Sequence, residues 1–252
     1  MQNEISRVVL GWYMPFDELT GPMDGFEAVL SREWFLYTQE FFQEQVAREP
    51  LYLNWKIESA IASSRLTAID MASVFAKKAN GGVSHEQFLS ENKVIGRRIK
   101  EWKVKMDPAL QDRRFLVTNF KGARPLEPDD IVDPYIPGTI YSGPLWVMNV
   151  VMMDWYSIDL MHKYQTALAL KTLPSADLKL HAYSICELFE AVELRSGSLP
   201  GTILACQASL SFAYLFLPRD ERHAMWALRK LAVIESNGSV ASSFVVISFH
   251  TN

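Results

Sequence analysis

The chain has 252 residues, 49% of them apolar, with 25 basic and 29 acidic side chains and a formal net charge of −4. A chain of that length hides about 70 to 75% of its unfolded surface, and with only 12 Gly and 12 Pro it is neither a disordered tail nor a collagen-like repeat. Mild acidity provides no global attraction for a phosphate backbone, which disfavours direct nucleic-acid binding by this chain.

Helical spacing dominates in chain order, and strand alternation is almost absent before the last dozen residues. A first helix is predicted up to Tyr13, followed by a loop marked by Pro15, Gly21, Pro22 and Gly25. Asp24 and Glu27 then resemble a capping box for a second helix carrying Phe26, Leu30, Trp34, Tyr37 and Phe41 on one face. Beyond Pro50, a long third helix places Ile57, Ile61, Ser64, Ala68, Ala72, Phe75 and Ala79 in register, and its small residues imply close helix contacts. Gly81 and Gly82 end it. Ser84 with Gln87 opens a fourth helix whose apolar face carries Ile95, Ile99, Trp102 and Met106, and Asp107-Pro108 closes it.

From Arg114 to Gly143 no period is sustained, and Pro125, Pro128, Pro134, Pro137 and Gly138 predict an ordered, irregular crossing segment, the one candidate boundary in the chain. Pro144 then starts a helix whose Leu145 to Met161 stretch is apolar nearly all round, the pattern of a buried central helix. Three more are predicted: Ser175 to about Arg195 with Leu178, Ala182, Ile185, Phe189 and Val192 in register, Pro200 to Phe216, and about Arg219 to Ser236, closed by Asn237 and Gly238. Residues 241–252 form a short tail. The expected fold is all-α, one multi-helix domain over residues 1–240 with the irregular segment 114–143 inside it.

Cys186 and Cys206 lie in apolar stretches, as buried thiols in a reducing compartment do. Glu4 and Arg7 interrupt the start of the chain, unlike a signal peptide. Asn149, Asp154 and Asp159 break one long apolar stretch and Gln207 and Ser211 the other, so no membrane span is expected.

Chemistry-bearing patterns are sparse. Asp129, Asp130 and Asp133 form an Asp-Asp-x-x-Asp string of the kind that holds magnesium on an isoprenoid diphosphate in all-α synthases, because hard oxygen ligands suit that ion. Such chemistry needs the three carboxylates on one helical face above an apolar cavity, whereas Pro128 and Pro134 predict a turn with solvated carboxylates. Asp159 and His162 have the spacing of half a metal site, which needs a matching pair on another helix; none is expected. His85, His162, His181, His223 and His250 are too scattered for a cage, and surface or helix-end roles are expected for them. Arg97, Arg98, Lys100, Lys103 and Lys105 read as the wet side of the fourth helix. There is no Gly-x-Ser-x-Gly nucleophile elbow and no phosphate loop. Abundant Trp, Phe and Met read first as core, with a pocket for a small apolar ligand as the alternative. No catalytic or metal-binding residue is assigned.

The order of short motifs says more than any of them alone. Leu10-Gly11-Trp12-Tyr13, Asp17, Gly21, Gly25, Leu30 and Arg32-Glu33-Trp34 are followed by Trp102, by Asp107-Pro108 and by Asp133-Pro134-Tyr135-Ile136-Pro137-Gly138. Ile185 to Glu190, Pro200-Gly201 with Ala213, and Glu221, Trp226, Leu231, Ile234 and Gly238 complete the series. Together they resemble the fungal-specific regulatory region found downstream of the DNA-binding head in fungal zinc binuclear cluster transcription factors. The resemblance implies an all-α, non-enzymatic regulatory domain of a nuclear factor of RNA polymerase II transcription. It would act through protein partners of the transcription machinery or a small-molecule signal; separately, apolar surface on the helix bearing Trp102 is a candidate homodimer face. Zinc belongs only to the family's six-cysteine head, which two cysteines cannot build. Where the family often has Phe-Pro-Leu in the penultimate helix, this chain has Gln207-Ala208-Ser209-Leu210, and its tail is short and unlike the family's. The alternatives are a prenyl-diphosphate enzyme using Asp129, Asp130 and Asp133 with magnesium, and a stand-alone small-molecule sensor.

Overall fold

In the computed structural model, which describes residues 30–194 and 200–236, every regular element is helical. The helices are α1 (Arg32–Arg48), α2 (Leu53–Ala79), α3 (His85–Lys105), α4 (Met148–Leu170), α5 (Asp177–Glu193), α6 (Pro200–Ala205), α7 (Gln207–Phe216) and α8 (Glu221–Ser236). Extended pairing among the described residues is confined to one antiparallel bridge, Leu116 with Tyr141. The fold is all-α. The predicted helix before Tyr13, the Asp24–Glu27 box, the Asn237-Gly238 stop and the tail lie outside the described residues.

The chain gathers into two units. Of the described residues, one unit holds 30–112 and 161–175 and the other 113–160, 176–194 and 200–236. The first change of unit falls at the start of the irregular segment, where a boundary is expected. The second, at Leu160 to Met161, falls inside α4 and is invisible to helical periodicity, which runs through it unbroken.

In the first unit α2 lies between α1 and α3 in chain order and packs on both. Ser84 caps α3 by accepting the Gln87 amide at 3.1 Å, so half of the expected capping box forms. The Gln87 side chain turns instead to Glu91, one turn on. Phe88, Asn92, Ile95, Ile99, Trp102 and Met106 make the buried stripe of that helix, as the steps of three and four require. Trp102 is therefore covered. Its indole N–H donates to the Ala60 carbonyl at 3.1 Å, so the ring belongs to the core. Asp107 ends the run by accepting the Ala109 amide at 2.8 Å ahead of a 3-10 turn, Pro108–Gln111.

In the second unit the crossing segment carries 3-10 turns at Arg113–Phe115 and Gly143–Leu145 and is otherwise irregular. Residues 148–160 of α4 expose no residue, in keeping with the apolar run. The helix predicted over Pro200 to Phe216 is two, α6 and α7, parted at Cys206. There the Cys206 thiol donates to the Thr202 carbonyl, and its amide is shared between the Thr202 and Ile203 carbonyls, a tightened last turn. Cys186 and Cys206 are both fully buried and free, as expected, and burial pushes both thiols well up from their ordinary range.

Candidate functional site

The acidic string falls in a turn of the second unit, not on a helix. Asp130 is buried, contrary to the solvated carboxylates expected, because Arg124 holds it from 2.7 and 3.1 Å and the Glu127 amide donates to it at 2.8 Å. The Arg124 guanidinium keeps the carboxyl below its ordinary range against the opposing effect of burial. Asp133 closes a turn of its own by accepting the Tyr135 amide at 2.9 Å. Asp129 stays exposed and takes part through its backbone, whose carbonyl accepts from Arg229 at 3.0 Å. Among these three, the face of carboxylates that diphosphate chemistry requires is not formed.

Two arginines of α8 clamp this turn. Arg222 donates to the Asp130 carbonyl and Arg229 to that of Asp129. The inner side of α8 meets α5 through a buried polar cluster. Trp226, fully buried, donates its indole N–H to Glu190 at 2.6 Å, and Lys230 reaches Glu190 at 2.8 Å and Glu193 at 2.7 Å. Glu190 is only 2% exposed. A buried carboxylate so placed is stable only because a cation and a donor meet it at once. Spacing could not reveal the cluster, since Glu190 and Lys230 sit in separate helices. Their one sequence signal is a charge within an apolar stripe: Glu190 next to Phe189 and Val192, and Lys230 one turn from Trp226.

The histidines separate. Asp159 and His162 share α4 but turn to different partners: Asp159 to His181 Nδ1, 3.1 Å away, and His162 Nε2 to Asn92 Oδ1 at 3.0 Å. No half metal site forms there. Contrary to expectation, the Asp-x-x-His spacing has a counterpart, Asp220 and His223 at the head of α8. Asp220 accepts both the His223 amide at 3.0 Å and its Nδ1–H at 2.7 Å, which leaves Nε2 to accept from the Tyr183 hydroxyl at 2.8 Å. This is the order carboxylate, imidazole, hydroxyl that activates a nucleophile elsewhere. Here burial pushes the Tyr183 phenol up, away from activation. Among the described residues no three His, Cys, Asp or Glu side chains are grouped to hold a metal ion.

The basic run of α3 also divides. Arg97, Lys100, Lys103 and Lys105 are exposed, as expected, but Arg98 turns inward to Asp70 at 2.6 Å and Thr67 at 3.1 Å. A groove of about 420 Å³ in the first unit is lined by Lys56, Arg98 and Lys105, and each is already paired: with Asp107 at 2.8 Å, Asp70 and Glu101 at 2.7 Å.

A cleft of about 360 Å³ opens in the second unit between the crossing segment and the end of α5, lined by Phe120, Lys121, Tyr135, Tyr141, Trp146 and Leu194 among others. Its walls are pinned. The Val117 amide donates to the Ile140 carbonyl at 2.9 Å, that of Gly138 to Val117 at 2.8 Å, and that of Ser142 to Phe115 at 2.7 Å. Asn149, 1% exposed, fixes the far wall by accepting the Tyr141 amide at 2.8 Å and donating to the Tyr141 and Trp146 carbonyls at 3.0 and 2.8 Å. Such cross-links preform the cleft without a ligand.

No helix among the described residues is long and apolar enough to cross a membrane. No family model matches the chain, and comparisons with curated proteins and with solved structures give no match.

Proposed function

We propose that this chain is a non-enzymatic regulatory domain of transcription control, of the kind that fungal zinc binuclear cluster factors carry beside their DNA-binding head. It would work in the nucleus through protein partners or a small-molecule signal. One observation carries this reading. Three segments that take part in the resemblance meet at one helix: the Trp226 helix bonds the Asp129-Asp130 turn just before Asp133-Pro134-Tyr135 through Arg222 and Arg229, and Glu190 at the end of the Ile185–Glu190 stretch through Trp226 and Lys230. Contacts of both segments with one helix give a reason for the motifs to occur together and in order. It supports a scaffold common to the family rather than a reaction centre, because its carboxylates are engaged by Arg124, Trp226 and Lys230.

The test is to tether the full chain to an unrelated DNA-binding head upstream of a reporter in a fungal host. A several-fold rise or fall in reporter transcript over the head alone is expected, together with nuclear accumulation of the untethered chain. Reporter output equal to that of the head alone, in a host where the fusion is intact and promoter-bound, would count against the proposal.

A further inference from the structure

The cleft of the second unit combines three properties that the proposed regulatory role does not by itself require. Its walls carry four aromatic rings, those of Phe120, Tyr135, Tyr141 and Trp146, each half-buried. Phe120 and Tyr135 meet edge to face with centroids 5.6 Å apart, an arrangement that steadies both rings. Phe120 and Tyr135 keep part of their surface in the cleft, where apolar surface is wetted unless something flat covers it.

The second property is charge. Lys121 stands at the rim, exposed, and forms no ion pair among the described residues. Arg124, three residues on, is consumed by Asp130, and the basic side chains of the groove in the first unit are all matched by acids. Lys121 is the cation left over beside an aromatic pocket. The third is a donor. The Tyr141 backbone is fully engaged by Asn149, whereas its hydroxyl has no hydrogen bond among the described residues, and burial raises its pKa so that it keeps its proton.

We infer that this cleft binds a planar aromatic carboxylate of one or two rings, its ring plane among Phe120, Tyr135 and Trp146 and its carboxylate on the Lys121 ammonium and the Tyr141 hydroxyl. The volume, about 360 Å³, is at the small end of ligand sites, which limits the guest to that size. A carboxylate suits a cation and a neutral hydroxyl donor together, since both can donate and the carboxylate only accepts. Saturated acids would cover the rings less well than a flat one. As the identity of a signal, the inference rests on the regulatory reading above. As a binding site it is measured on the purified chain, so a silent reporter and an empty cleft are separate results.

Isothermal titration of the full chain with 2-naphthoate, its neutral amide and cyclohexanecarboxylate tests it. Saturable binding of naphthoate is expected, with cyclohexanecarboxylate about tenfold weaker or worse, a difference of about 1.4 kcal/mol. Lys121→Met lies on an exposed turn and leaves the fold alone. It should weaken naphthoate about fivefold, in line with about 1 kcal/mol for an exposed charge pair, and leave the amide unchanged. Phe120→Ala, with its helicity and melting checked against the parent chain, should weaken both aromatic ligands. Absence of saturable naphthoate binding up to about 1 mM, the weak end of specific recognition, would overturn the inference. So would binding that neither substitution moves, or an amide that binds as tightly as the acid.

Discussion

Truncating Glu190 to alanine removes the acceptor of one buried donor and the partner of one buried cation. The Trp226 indole N–H, 2.6 Å from Oε1, would be left unsatisfied in a fully buried ring, at a cost of about 1–3 kcal/mol. Lys230, 7% exposed, would lose one of its two carboxylates and keep Glu193 at 2.7 Å. Breaking a buried pair costs about 3–5 kcal/mol when the survivor has no other partner, so the retained Glu193 places the combined loss near 4 kcal/mol rather than at the sum. Glu190→Gln keeps the volume and a carbonyl for Trp226 while removing the charge, and about 2 kcal/mol is expected. Since whole domains hold about 5–15 kcal/mol, Glu190→Ala should remove a large share of the stability and lower the urea midpoint accordingly. Replacing both ions, Glu190→Leu with Lys230→Met, should cost less than Glu190→Ala alone, because two apolar side chains of similar volume fill the space and no longer bury a cation with one partner removed. Urea denaturation followed by tryptophan fluorescence and circular dichroism gives the four free energies. A loss below about 1 kcal/mol for Glu190→Ala, or a double variant worse than the single one, would refute the view that this cluster holds α5 to α8.

In the first unit, Asp70 is bound by Arg32 at 2.5 and 3.1 Å and by Arg98 at 2.6 Å. Burial raises its pKa, but the two guanidinium groups more than offset this and hold it below the ordinary carboxylate range. The stabilisation is therefore present above the unfolded value of about 3.9 and is lost as pH falls through the lower folded value. Asp70→Asn should cost about 2 kcal/mol near neutral pH, a figure discounted because Arg32 is half exposed. The gap between parent and variant should close in acid, and a gap independent of pH from 7 down to about 2.5 would contradict the assignment. A Cβ at Gly96 would lie 2.9 Å from His162 Cε1, on a ring held by Asn92. Gly96→Ala gains about 1 kcal/mol of helix propensity but meets an overpacking cost of about 1–3 kcal/mol, so net destabilisation near 1 kcal/mol is expected. Adding His162→Ala should relieve the clash; a stabilised single variant in thermal melts would mean that the ring swings aside freely.

What the sequence determined by itself is local. Apolar steps of three and four placed α2, α3 and α5 to within a few residues, Ser84 and Asp107 marked the ends of α3, and the prolines marked the crossing segment; α1 differs, since it starts only at Arg32, past the expected Leu30, and buries Phe35 and Phe42 in place of the expected Trp34 and Tyr37. These rest on interactions within a few residues, which a linear pattern contains. The motif order raised a regulatory reading, and it too is a property of the line. Tertiary structure alone decided which charges are spent and which are left. Arg98 turns from the wet side of its helix because Asp70 lies opposite, and Asp130 is buried because Arg124 and the Glu127 amide replace the water it gives up. Asp159 with His162 and Asp220 with His223 have the same spacing in the sequence, and only the positions of His181, Asn92 and Tyr183 tell the two pairs apart. The change of unit inside α4 has the same origin. It is set by contacts between segments far apart in the chain, which helical periodicity within one segment does not contain.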